Sequence, residues 1–454
     1  MKIAGIDVGS TNIKAFVLDI DDDKSFIIKQ STPIKFNNEF LDIKPIVSEV
    51  LLIIQDLVNK YGVKFIGFST MAPIFTLVNF DNEPIGALMY NSPVGSEYFK
   101  LFDENLFLKI NLNPLNTQMV FQKILWLRDN YPSLIEKTKY FIDLNGYIFM
   151  KLTGKVKQDT HIALEWGLLD YRSRSWSEEI LDEVGLRGVM DKLPKLVDPT
   201  YTINDITIGT VDVVASALAL MVNEKRAFAS YGTTFCAGIG SREPRPSKAF
   251  YNDLLLDYGY LINGCNSMYG SLIDWFKSNI VMGKEAGFDL NVENVPENPT
   301  NVVFLPYLQG ERSPIFDPRA VGVIYGLNTN NNIKDLWIAF IHSLAYIATH
   351  IIEHLSDYQF DVMSYGGLAR RPIINIVSSL TNRRQYIVNI EAAALGAAMI
   401  AAKANDIRLD FDRVINIGAS SVIEPNEILR SMHMKNYHIF KELYVRLHDL
   451  FQVS

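Results

Sequence analysis

The chain has 454 residues, 48% of them hydrophobic and 21% charged, a balance ordinary for a globular protein with a buried apolar core. At about 100–200 residues per domain it is long enough for two or three domains, each with its own core. A formal net charge of -8 excludes a scaffold that wraps a polyanionic nucleic acid, although a nucleotide needs only a few well-placed donors.

Residues 2–8 (KIAGIDV) predict a strand, and after a Gly-Ser-Thr turn a second strand spans 13–19. The hydrophilic run Asp21, Asp22, Asp23 and Lys24 turns the chain into a third strand, SFIIKQS. Helical periodicity over 45–60 and a strand over 64–70 then begin an alternation that indicates α/β layering. The N-terminal run carries Asp7 and lacks the apolar core of a signal peptide, and the apolar stretch 213–222 is too short to span a bilayer. Two cysteines, Cys236 and Cys265, argue against a disulfide framework or a cysteine-based zinc site and fit a reducing cytoplasm. His350 and His354 have i, i+4 spacing but no H-E-x-x-H pattern, so they read as a pair on one helix face.

Near the middle, residues 227–240 (AFASYGTTFCAGIG) again read strand, turn, strand. Gly9-Ser10-Thr11 and Gly232-Thr233-Thr234 are offset by 223 residues, close to half the chain, which suggests a duplicated domain with a boundary near residue 222. The segments 249–259 and 291–301 read as surface connections.

Each hairpin turn has the makings of an oxyanion clasp. Gly9 lets the backbone approach closely because it has no Cβ, and Ser10, Thr11 and the turn amides are donors. Asp7 is a candidate magnesium ligand, directly or through water. The second turn, with Gly232, Thr233 and Thr234, offers the same donors but has Ser230 where the first has Asp7. One carboxylate with a cation neutralises a polyphosphate, whereas two would repel it; taken singly, either turn is also an ordinary polar hairpin. Neither a G-x-x-x-x-G-K-[ST] loop nor a G-x-G-x-x-G loop opening a helix is present, so the nucleotide is expected between two hairpins. Ser364-Tyr365-Gly366-Gly367-Leu368-Ala369-Arg370 leads from a strand into a helix with Pro372 in its first turn, a place for a base or ribose to lie against backbone. Glu391 opens a helix of small residues that read as a close-packing face.

In order and distance, the segments 7–14, 230–236, 366–370 and 391–398 resemble the nucleotide motifs of the FGGY carbohydrate kinases, of the actin-like ATPase superfamily. The segment 304–314 (FLPYLQGERSP), continuing to Gly322 and Gly326, is similar to that family's signature. The resemblance implies two RNase H-like α/β domains, 1–222 and 223–454, flanking a central cleft, with sugar mainly on the first and ATP mainly on the second. It adds Lys14 to the phosphate contacts and makes Asp212 the catalytic base, with magnesium within its reach; by itself Asp212 reads as a helix cap. It also points to Met71, Asn91, Asp159 and His161 as substrate contacts, although Ala72 follows Met71 where many relatives have histidine. The expected partners are a small sugar or polyol and ATP with Mg2+, with no nucleic acid and no membrane, in the cytoplasm, as a monomer or a homodimer. A ketose such as xylulose leads, with gluconate, glycerol or another polyol next. An actin- or chaperone-like ATPase and a non-catalytic sensor are the readings from other classes.

Overall fold

The opening strands form as their alternation predicts: Lys2–Val8 runs antiparallel to Asn12–Asp19, which pairs with Lys24–Ser31. A computed structural model of the chain describes residues 1–21, 24–282, 287–409 and 419–452, so Asp22 and Asp23 of the acidic turn lie outside the described residues. On its other side Lys2–Val8 pairs in parallel with Val63–Thr70, and that strand in parallel with Ile206–Val211. The second half repeats the plan. Arg226–Tyr231 is antiparallel to Phe235–Ser241 on one side and parallel to Asp361–Tyr365 on the other. The internal echo is therefore structural, and it carries the mixed α/β architecture expected of a duplicated RNase H-like domain.

Each sheet takes its strands from one side of residue 222: six strands before it and seven after. Helix Lys44–Asn59 buries Ile46, Val47, Val50, Ile53 and Leu57 against the first sheet, a spacing that puts them on one face. The second core is centred on helix Ile333–Glu353, started by a capping box between Asn332 and Asp335. This helix is long and apolar enough to cross a membrane, but 83% of its apolar window is buried inside the protein, as in a core helix. His350 and His354 lie together at its C-terminal end with ring centroids 5.2 Å apart, and Glu353 beside them accepts from Lys441.

Helix Ala392–Ala404 belongs to the second half in sequence yet lies on the first sheet. A Cβ on Gly5 would sit 1.9 Å from the carbonyl oxygen of Ala394, and one on Gly67 2.3 Å from that of Ala397. On the helix itself, a Cβ on Gly396 would sit 1.9 Å from the carbonyl oxygen of Ala215, in helix Asp212–Ala219. The small residues thus form a packing face, and the face locks the halves together.

Two expectations are corrected. The segment 249–259 is not a surface connection: Tyr251–Leu255 is a wholly buried strand at the edge of the second sheet. Its polar residues mislead because Asn252 and Asp253 face polar partners inside the protein. Cys236 and Cys265 are not separate thiols either. They are directly opposite on antiparallel strands, with Cα atoms 4.1 Å apart, and form a disulfide. At that separation the two sulfurs remain neighbours whether oxidised or reduced, so the pairing does not by itself assign a compartment.

Gly396→Ala is expected to lower stability by about 1–3 kcal/mol, because the added methyl meets backbone that has no rotamer to yield. Thermal unfolding of the full chain checks this, and an unchanged Tm would contradict the packing described.

Candidate active site

Strand Lys2–Val8 delivers Asp7 to the mouth of the first hairpin, where Ser69 of the neighbouring strand donates to its Oδ1 at 2.8 Å. The turn closes with the Gly9 amide donating to the Asn12 carbonyl at 3.1 Å, leaving Ser10 and Thr11 exposed. The second hairpin closes one residue earlier, the Gly232 amide donating to the Thr234 carbonyl at 3.2 Å. Asp212 arrives by a different route. Strand Ile206–Val211 carries one extra residue between Thr207 and Thr210 relative to its partner strand. Gly209 fills the bulge at φ 73°, in the left-handed region, with its α-carbon so close to strand Val63–Thr70 that a Cβ would lie 1.7 Å from the Phe68 carbonyl oxygen. The strand then ends at Val211, and Asp212 opens the next helix, where the amide dipoles favour a carboxylate.

These pieces line one continuous cleft. A cavity of about 360 Å³ holds Asp7, Gly9, Ser10, Thr11 and Lys14 of the first hairpin together with Gly232, Thr233 and Thr234 of the second. A larger cavity of about 1030 Å³ continues from it over Gly366, Gly367, Ala369 and Arg370. Asp7, Lys14, Asp212, Gly232 and Thr234 belong to both, so the carboxylates stand where the two chambers meet. In the larger chamber Gly366 sits at φ 104°, packed so that a Cβ would lie 2.6 Å from the Tyr231 carbonyl oxygen, whereas Gly367 faces open space. Arg370 is fixed by the Gly367 carbonyl and by Glu293. Lys14 reaches across the junction to Glu391, at 2.5 Å, tying the first hairpin to the second half.

Burial pushes Asp7 up to about 7, with the nearby charge of Asp212 adding to the rise, and burial likewise raises Asp212 to about 6. Two half-buried carboxylates so disposed suit a divalent cation, whose charge would relieve both.

The smaller chamber departs from the sequence expectations. Met71 lines it, but Asn91 does not; its neighbour Tyr90 does. Asp159 and His161 lie outside its lining. Asp159 caps helix Thr160–Glu165, accepting from the amides of His161 and Ile162 and from the Thr210 hydroxyl. Burial holds the His161 ring far below its usual range, at about 3, so it is neutral. The residue that does face the chamber from this helix is Glu165, at its other end. Asn113, Asn116, Gln118, Tyr251, Asp253, Asn263 and Arg312 also line it. Of these only Arg312 stood in a segment read as a family motif, while Tyr251 and Asp253 stood in the stretch read as a surface connection. The second half therefore supplies as much of this wall as the first.

The N-terminal domain of the FGGY family of carbohydrate kinases matches residues 2–216, and its C-terminal domain matches residues 227–405. The chain belongs to the FGGY family of carbohydrate kinases. It is therefore an ATP-dependent sugar phosphotransferase. Over 97% of its length it is 26% identical to a xylulose kinase of Lactococcus lactis, covering 96% of that protein, and over 98% it is 23% identical to a gluconokinase of Bacillus licheniformis, covering 94%. A ligand-bound xylulose kinase from Lactobacillus acidophilus superposes with a TM-score of 0.89, at 20% identity and full coverage of both chains, which shows the shared fold.

For this kinase, Gly366→Ala is expected to weaken ATP binding about tenfold, since a left-handed backbone conformation without glycine costs roughly 1–3 kcal/mol. Titration calorimetry checks it; unchanged affinity would free the Gly366 turn from the nucleotide chamber.

Proposed function

We propose that this kinase phosphorylates one hydroxyl of a small sugar by direct in-line transfer, a ketose such as xylulose first among the candidates. The observation that carries the reading is the junction. Two hairpins and two carboxylates, Asp7 and Asp212, stand between a chamber of sugar size and a larger one that fits a nucleotide. ATP takes the larger chamber, its base and ribose along Gly366, Gly367, Ala369 and Arg370, and its phosphates between Gly9-Ser10-Thr11 and Gly232-Thr233-Thr234.

Asp212 accepts the proton of the attacking hydroxyl as its oxygen bonds to the γ-phosphorus and the bond to the β-phosphate bridging oxygen breaks, releasing ADP. Turn amides and hydroxyls, fixed before the reaction, position and neutralise the phosphates, and this positioning supplies most of the acceleration. Asp7, directly or through water, and Asp212 are the residues that would hold Mg2+, which supplies charge neutralisation when bound with the nucleotide. Lys14, now paired with Glu391, lines both chambers and is the cation placed to take up a phosphate oxygen. Closure of the halves would exclude water from the junction and limit wasteful hydrolysis. A cytoplasmic enzyme, monomeric or dimeric, is the setting this reading assumes.

Gluconate, glycerol or another polyol is the alternative within the family, and the gluconokinase relative is what supports it. Asp212→Asn is expected to retain ATP binding while phosphoryl transfer falls by about 10²- to 10⁴-fold, the range for loss of a general base. An ADP-release assay against ketoses, aldonates and polyols, beside calorimetric ATP binding, checks it. Full activity in that variant would remove Asp212 from the mechanism.

A further inference from the structure

Lys123 has no exposure to solvent, and lysine is almost never fully buried without a partner. It stands in the first turn of helix Phe121–Asn130, where a cation opposes the helix dipole. Neither burial nor position therefore favours it over a methionine of similar size. Its partners are backbone carbonyls. Its Nζ donates to the Thr117 carbonyl at 2.7 Å and to that of Gln118 at 3.4 Å, and Nε2 of Gln122 adds a bond to the Thr117 carbonyl at 3.3 Å. Burial pulls Lys123 down to about 7, opposed by the charge of Asp143. The bonds do not depend on that charge, because ammonium and amine both carry enough N–H groups for two carbonyls.

These carbonyls belong to the loop 111–119, whose Asn113, Asn116 and Gln118 line the smaller chamber. The loop is pinned on its other side by reciprocal bonds between Asn113 and the Asn252 backbone, at 2.7 and 3.0 Å. Between the two anchors Asn116 spends its side chain inside the loop, donating to the Pro114 carbonyl at 2.7 Å and accepting from the Gln118 backbone amide at 2.9 Å. The Gln118 side-chain amide has no partner among the described residues and is half-buried at the chamber. None of these loop residues lines the larger chamber. A polar loop helps a ligand only if it is held in place before the ligand arrives, and a buried donor beneath two of its carbonyls supplies that hold.

We infer that Lys123 is a positioning residue for the sugar: by holding the Thr117 and Gln118 carbonyls it sets the loop, and Gln118 above all, against the substrate in the smaller chamber. Lys123 lines neither chamber and acts only through the loop. The inference rests on the reading of the smaller chamber as the sugar site and adds to it a group that lies behind its wall.

The test compares wild type with Lys123→Met, Gln118→Ala and the double variant in the full chain, with D-xylulose, xylitol, glycerol and D-gluconate as probes. Affinities for sugar and ATP are read by calorimetry, KM and kcat by ADP release, and folding by Tm. Lys123→Met is expected to weaken binding of the sugar that wild type holds best about tenfold, in Kd and KM alike, with a smaller change in kcat and ATP affinity within about twofold of wild type. Gln118→Ala should weaken the same sugar, and the double variant should lose no more than about twofold beyond the worse single variant, because both act through one contact. A merely structural lysine would lower Tm and spare the sugar, or weaken sugar and ATP alike. Either result overturns the inference, and so do losses that multiply in the double variant. Lys123→Gln, with a donor on a shorter arm, replaces the methionine variant if that does not fold; failure of both to fold assigns Lys123 to the core alone and overturns the inference. A wild type that binds a sugar and phosphorylates none sinks the kinase reading, while a tenfold loss of sugar affinity in Lys123→Met still upholds the loop. Binding of none of the four by wild type overturns both.

Discussion

Helix Ala392–Ala404 lies between strands Lys2–Val8 and Val63–Thr70 on one side and helix Asp212–Ala219 on the other. The approach is possible only because Gly5, Gly67 and Gly396 present no Cβ to backbone oxygens that would lie about 2 Å away. That contact ties the second half to the first sheet and fixes where the hairpins stand relative to each other. Glu391, immediately before the helix, reaches Lys14 on the first hairpin, so the same element that sets the spacing also spans the junction electrostatically. A third apolar cluster, including Val211, Val214, Phe228, Met363, Val388 and Leu395, fills the space between the two sheets behind the cleft.

The cleft concentrates acids. Asp7, Asp212, Asp253 and Glu165 all line one chamber, and burial is the largest cause of the raised proton affinity of each. The acids divide by position. Asp7 and Asp212 stand at the junction shared with the larger chamber. Glu165 and Asp253 line the smaller chamber alone. In the proposed reaction the polyphosphate and the sugar take different chambers of the cleft, with the reacting hydroxyl where they meet.

Relatives named for xylulose and for gluconate match almost the whole chain at similarly low identity, so overall likeness does not separate the substrates. The smaller chamber is assembled in part from strand Tyr251–Leu255 and helix Thr160–Glu165, which are distant in sequence and meet across the two halves.

The sequence by itself determined what depends on neighbours along the chain. The two strand-turn-strand units, the 223-residue offset, the Gly366-Gly367 turn before Ile373–Thr381 and the small-residue helix after Glu391 are local patterns of alternation, glycine and helical period. Asp212 was found through its place in a resemblance, and the structure adds the reason for that place, a one-residue bulge at Gly209 that swings the helix start into the cleft. Tertiary structure alone decided which polar residues line the smaller chamber. Asp159 and Glu165 are six residues apart at opposite ends of one short helix; the first spends its oxygens on capping, while the second lines the chamber. Tyr251–Leu255 reads as a loop because its acids and amides suit water, yet they are buried against Asn113 and Asn263. Likewise Cys236 and Cys265, 29 residues apart, become partners only when their strands align in register. A one-dimensional pattern records which groups are polar, but whether water or another side chain satisfies them is fixed by packing.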